Sequence, residues 1–340
     1  SWYDEDQVYI NFINCLLFAD ELLKEKCYLR CSFPDAYHIA CGLKRLNPQQ
    51  FEARSYRELV DSPLIASRNI SKYMYESHGV PFSIWFQGDH SLHEKKVVQD
   101  FKKFTDNQIN MMRNFPDKDY HFLNQVPSYK HYHGVEHANS TVICIGPGKE
   151  LNTDHLYQEF LGVSSHELFH AWNILKIRPK ELMPYDFSKP PIFPTGYVAE
   201  GFTTYYGDLI LVKSGVFNEK WYFNELNKLF NRHFHNYGRL NNSVVDSSVD
   251  LWIDGYQASA PHKKSSIYVE GAIIALCLDL LLRKNTNSQA SLDDVMRILW
   301  KEYGQKNIGY TAQDIKSACE RVNNNRLDDL FEKHIDGTED

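Results

Sequence analysis

His166-Glu167-Leu168-Phe169-His170 sets two imidazoles four residues apart, with a carboxylate beside the first. On a helix, residues at that spacing lie one above the other, so both rings can grip one metal ion from the same side. The glutamate then faces whatever water the metal holds. This is the zinc-hydrolase signature, with Glu167 as general base. The alternative reading is a solvated helix face that carries two histidines and an acid.

A catalytic zinc takes three protein ligands and leaves a fourth position for water. Glu200 is the candidate third ligand, at the opening of Glu200-Gly201-Phe202-Thr203-Thr204-Tyr205-Tyr206. An acid there can also serve only the dipole of a helix N-terminus. A His-His-Glu set also suits non-haem iron, but Glu167 then has no task. In a zinc hydrolase it takes a proton from water whose pKa the metal lowers from about 15.7 toward ~7. One zinc ion per chain is therefore expected.

These residues need elements to hold them. Leu161, Leu168, Trp172 and Leu175 form an apolar stripe on the motif helix, with Asp154 as its expected cap. The motif residues lie off that stripe and are expected to face a cleft. Val8–Phe12 and Cys27–Cys31 read as strands, as do Tyr120–Val126 and Ser140–Ile145. Val97, Phe101, Phe104, Gln108 and Met111 mark one face of a helix over 94–115, which Pro116 ends. Prolines punctuate 179–194, and a helix is expected from about Ala199 to Lys213 with Gly215 as its stop. The remainder reads as helical, with capping-box starts at Ser291…Asp294 and Thr311…Asp314.

Composition narrows the partners. The net charge is −7 over 340 residues, and Lys95-Lys96, Lys102-Lys103 and Lys263-Lys264 are only short doublets. No nucleic-acid footprint is expected. No apolar run reaches membrane-spanning length, since Gly271–Leu282 is broken by Asp279. Cys15, Cys27, Cys31, Cys41, Cys144, Cys277 and Cys319 form an odd set without paired spacing. That usage leans toward a reducing, cytoplasmic compartment, with export possible if an upstream signal was removed. Oligomeric state is left open.

At this point a resemblance adds to the reading. His166–Asn173, Ile177-Arg178-Pro179 and Glu200–Asp208 together resemble the glycyl aminopeptidase family of gluzincin metallopeptidases. So do Tyr56–Pro63, Gly134-Val135-Glu136-His137, Tyr268-Val269-Glu270-Gly271 and Phe331–Gly337, so that the likeness spans nearly the whole chain. It implies an α+β fold: a thermolysin-like catalytic domain with a small mixed sheet and active-site helices, a partial β-rich N-terminal domain and a helical C-terminal part. The expected boundaries are 1–65, 66–215 and 216–340. Members usually carry a PDZ domain beyond this point, and both ends suggest a fragment or a shortened relative.

The resemblance also implies roles. His166, His170 and Glu200 match the zinc ligands and Glu167 the general base. Tyr268 matches the tyrosine that steadies the tetrahedral oxyanion by a phenolic hydrogen bond; without the resemblance it equally reads as a core aromatic at a helix start. Gly134-Val135-Glu136-His137 looks like the exopeptidase loop preceding the edge strand, with Glu136 pairing with the substrate's α-ammonium. Relatives often carry Trp shortly before the ligand glutamate, whereas Tyr197-Val198-Ala199 stands here. The implied function is a zinc aminopeptidase that takes peptides with a free N-terminus and prefers glycine or alanine there. A zinc endopeptidase and a catalytically silent binding module on the same fold are the alternatives.

Overall fold

The computed structural model describes residues 1–254 and 260–339. The chain is mixed α+β, rich in strands over its N-terminal region and helical over its C-terminal part. It forms two compact units: Ser1–Asp106 with Phe115–Ala171, and Asn107–Asn114 with Trp172–Asp340.

The first unit begins with two small antiparallel sheets. One orders Trp2–Tyr3, Gln7–Ile10, Leu64–Ser67 and His38–Cys41; the other orders Cys27–Arg30, Gln50–Ala53 and Lys44–Asn47. The short helix Tyr56–Val60 starts at Ser55, whose hydroxyl accepts from the Glu58 amide. A five-stranded sheet follows, in the order His131–His137, Ser140–Gly146, Tyr120–Gln125, Val80–Gln87, Ile70–Ser77. Tyr120–Gln125 runs parallel to both neighbours and the outer pairs are antiparallel. A parallel pair needs a crossover, and between Val80–Gln87 and Tyr120–Gln125 it carries the expected helix, Glu94–Met112. Phe101 packs on Phe104, Phe122 and Phe160, an aromatic core joining that helix and the sheet to the motif helix.

The motif helix is Asp154–Phe169. Thr153 takes the cap position without a side-chain bond, and Asp154 is instead the first helical residue. A carboxylate in the first turn still meets the positive end of the helix dipole.

In the second unit the helix predicted from Ala199 opens earlier, as a π-helical turn Tyr197–Phe202, and continues as Thr203–Lys213. Gly215 follows with φ +71°. Both predicted capping boxes form, at Ser291/Asp294 and Thr311/Asp314. The long apolar helix Val269–Asn285 carries Asp279 inside. Its carboxylate accepts from the Tyr205 hydroxyl, Arg283 Nε and the Leu292 amide, each at 2.8 Å, which makes burial of a charge tolerable. Among the described residues no helix is long and apolar enough to cross a membrane.

Candidate active site

The motif occupies the last turn of its helix. His170 sits at the C-cap but keeps helical dihedrals, φ −59° and ψ −21°, so its ring still follows the helix face. Its Nε2 lies 3.1 Å from Nε2 of His166, and the two rings meet edge to face with centroids 4.7 Å apart. Two ring nitrogens converging in this way suit a borderline-soft cation such as zinc, so the donor set fits that metal. His166 is half-buried, on the helix face that also carries the half-buried Glu159 and Gly162. Glu167 is 4% exposed and His170 1%, while Leu161 and Leu168 are buried as well. Glu167 and His170 are thus shut off from water and must be served from within.

Glu167 is served from three directions. The Thr141 hydroxyl lies 3.3 Å from Oε2 and 3.0 Å from the Val135 carbonyl. The Tyr120 hydroxyl donates to the Glu167 backbone carbonyl at 3.3 Å. Burial pushes the Tyr120 phenol well up, with the Glu167 and Glu136 charges acting the same way, so it remains a protonated donor. The third direction is an absence of atoms. A Cβ on Gly134 would stand 2.3 Å from Glu167 Oε1.

Gly134 and Glu136 lie in the edge strand His131–His137 itself rather than in a loop before it. Residues two apart on a strand share a face, so Glu136 falls on the side that Gly134 leaves open. One ligand atom each of Glu136, Glu167 and His170 lies within 4.8 Å of the others. Two ionised carboxylates at that separation repel by about 3–4 kcal/mol at an effective dielectric constant of ~20. Such a cluster is built to receive positive charge.

The second unit holds Glu200 and Tyr268. Glu200 is half-buried in the π-helical turn, a geometry often found where a helix does chemistry. Asn173 fastens that turn, its Nδ2 donating to the Val198 carbonyl at 2.8 Å and to Thr203 Oγ1 at 3.0 Å. The Tyr197 amide donates to Ser248 Oγ at 3.1 Å. Tyr268 is half-buried at the start of helix Val269–Asn285. The turn and the helix cross at a glycine pair. A Cβ on Gly201 would lie 2.3 Å from the Gly271 Cα, and one on Gly271 2.7 Å from the Tyr197 carbonyl oxygen. The residue after Glu200 and the third after Tyr268 therefore lock the two segments together.

His166, Glu167, His170 and Glu136 thus form one cluster in the first unit, and Glu200 and Tyr268 stand on crossing segments of the second. Sequence reasoning missed Thr141, the reason for Gly134, and the roles of Asn173 and Gly201. Gly134, Asn173 and Gly201 lie inside runs that the reading singled out, which was their only signal.

Residues 1–68 match the N-terminal domain of peptidase family M61, and residues 159–274 match the M61 glycyl aminopeptidase. The chain belongs to the M61 glycyl aminopeptidase family. An aminopeptidase N family protein from Idiomarina loihiensis has a similar crystal structure, with 28% identity and a TM-score of 0.94 over 100% of this chain and 60% of that one. An M1 zinc metallopeptidase from Deinococcus radiodurans shares the fold at 13% identity, with a TM-score of 0.54 over 87% of this chain and 59% of that one. A mutant of it bound to a Tyr-Ser-Ala substrate matches at 12% identity and 0.53, with the same coverage. No curated protein matches the chain. The chain thus spans about 60% of the length of the solved relatives it matches.

Proposed function

We propose that the chain is a zinc-dependent aminopeptidase that releases small N-terminal residues, glycine or alanine, from peptides. One observation carries the reading: Glu136 stands beside Glu167 and His170, within 4.8 Å. A hydrolase needs only one of those carboxylates as its base. The second, on the edge strand, is chemically suited to an ammonium ion. It would seat the free amino end and count one residue to the scissile bond.

His166, His170 and Glu200 would hold the ion. When bound, zinc supplies a Lewis acid for the scissile carbonyl and a water acidified toward pKa ~7. The chain's own residues do the rest. Glu167 accepts the proton of the attacking water and passes it to the departing amine. The Tyr268 phenol donates to the carbonyl oxygen as it gains charge, an interaction strongest in the transition state. Glu136 accepts from the substrate ammonium and fixes its register. The preference for glycine is supported by the family's description as glycyl aminopeptidases, and alanine is included as the next smallest side chain; extra methylenes in a pocket are worth only about 1–3 kcal/mol unless they clash.

The test is hydrolysis of Gly-, Ala- and Leu-naphthylamides and their N-acetylated forms, with and without a chelator. Cleavage should favour Gly and Ala, stop with the chelator, return with zinc, and fail on acetylated substrates. Turnover that ignores the chelator removes the metal from the mechanism. Equal cleavage of acetylated substrates removes Glu136 from its role and leaves an endopeptidase.

A further inference from the structure

Among the described residues, the edge strand that bears Glu136 pairs on one side only, from His131 opposite Gly146 to His137 opposite Ser140. A slip of one residue would turn Glu136 to the opposite face. The register therefore depends on the two-residue connection Ala138-Asn139, and that connection is gripped from outside its own hairpin. Asp61, just after helix Tyr56–Val60, accepts from His137 Nδ1 at 3.0 Å through Oδ1 and from the Ala138 amide at 3.2 Å through Oδ2. His137 is 5% exposed, and this bond sets its tautomer with the proton on Nδ1. Asn139 Nδ2 donates to the Gly42 carbonyl and to Asp119 Oδ1, each at 3.0 Å. A Cβ on Gly42 would fall 2.5 Å from Asn139 Oδ1, so any side chain there would push the Asn139 amide out of this place. The Asn139 carbonyl accepts from the His121 amide at 3.0 Å.

We infer that Asp61, with Gly42 and Asn139, is a positioning residue through which the N-terminal β region holds Glu136 in register for a peptide's free amino end. The inference rests on the reading of Glu136 given above. Its logic is mechanical. The Asp61 carboxylate ties a ring and a main-chain amide to one point, immediately after Glu136. Asn139 ties the far side of the turn to a different strand connection of the same β region. A displacement of about 1 Å in a substrate-positioning group can cost ~100-fold in rate. Loosening the turn should therefore appear in selection of the amino terminus, while His166 and His170, on a separate helix, keep their metal.

The experiment compares wild type, Asp61→Ala and the near-isosteric Asp61→Asn, as full chains with zinc content measured. Asp61→Ala should lower kcat/KM for Gly-naphthylamide by about tenfold or more, chiefly through KM, and reduce the preference over the N-acetylated substrate by a similar factor. Asp61→Asn, which keeps one acceptor oxygen, should fall between. Amide hydrogen exchange should quicken across 131–137 and not across 120–125, with zinc content unchanged. A folded Asp61→Ala chain with wild-type selectivity and wild-type exchange overturns the inference. If that chain does not fold, Asn139→Ala is read the same way, and an unchanged preference there also overturns it. A wild type that does not discriminate free from blocked amines sinks the reading of Glu136 instead. In that event the exchange measurement still judges the clamp, and unaltered protection of 131–137 in Asp61→Ala refutes it.

Discussion

Replacing Gly134 with alanine should separate catalysis from stability. The new Cβ would lie 2.3 Å from Glu167 Oε1, 2.8 Å from its Cδ and 2.8 Å from Val163 Cγ2. Ordinary contact begins near 3.4 Å, so the carboxylate must retreat by about 1 Å. That retreat alone is cheap, because the carboxylate is the far end of a flexible side chain. Val163 is less forgiving, since a β-branched residue in a helix has essentially one rotamer, and the resulting overpacking costs about 1–3 kcal/mol. Against it stands a gain of roughly 0.4–1 kcal/mol from the stiffer unfolded chain. The net loss is on the order of 1 kcal/mol, or about 2–4 °C in melting temperature for a domain of some 200 residues. The same 1 Å at the general base is worth ~100-fold in kcat. The assay is kcat on Gly-naphthylamide, beside a thermal melt and a zinc measurement. A Gly134→Ala protein that keeps its zinc and retains kcat within about threefold would refute the claim that Glu167 needs this space.

Thr141→Val removes the hydroxyl 3.3 Å from Glu167 Oε2, and should lower kcat by about tenfold, as expected for a hydrogen bond to a charged group. Thr141→Ser should restore most of it, and a fully active valine variant would show that the hydroxyl serves only Val135. Gly271→Ala should destabilise the second unit by about 3 kcal/mol. Its Cβ would meet backbone, 2.7 Å from the Tyr197 carbonyl oxygen and 2.8 Å from the Gly201 Cα, and denaturant unfolding with no loss would contradict the crossing described above. Burial raises the Asp208 carboxyl to about 7, with the Glu225 charge adding and the Lys228 charge opposing. The folded pKa exceeds the unfolded one, so this contribution to stability is full below about pH 4 and is lost as pH rises through about 7. Asp208→Asn should therefore raise the melting temperature at pH 8 more than at pH 5, and equal shifts would count against that linkage.

The parts legible in the sequence are those that local covalent spacing determines. His166 and His170 converge because four helical residues return a side chain to the same face, whatever packs around them. The boxes at Ser291 and Thr311 formed for the same reason, each closing on an acid three residues away. Glu136 is different. It reaches Glu167 only through strand pairing and a crossover, so no spacing rule finds it, and the resemblance to a family did. The resemblance implies a loop at Gly134-Val135-Glu136-His137, a run whose glycine and charges are weak strand formers; it is a strand because Ser140–Gly146 offers it a complete ladder. The burial of Glu167 and His170 was hidden for a related reason. An apolar stripe records where a helix must avoid water, but not where a polar group is supplied from another element. Thr141, Tyr120 and the gap at Gly134 supply Glu167, and each belongs to the sheet rather than to the helix it serves. Residues that touch substrate or metal are restricted to a few chemical types and can be read from type. The residues that aim them need only the right size at the right place. A hydroxyl, a carboxylate at a turn or a missing Cβ acquires meaning only once the chain is folded, which is why Asp61 and Gly42 stayed silent while His166 did not.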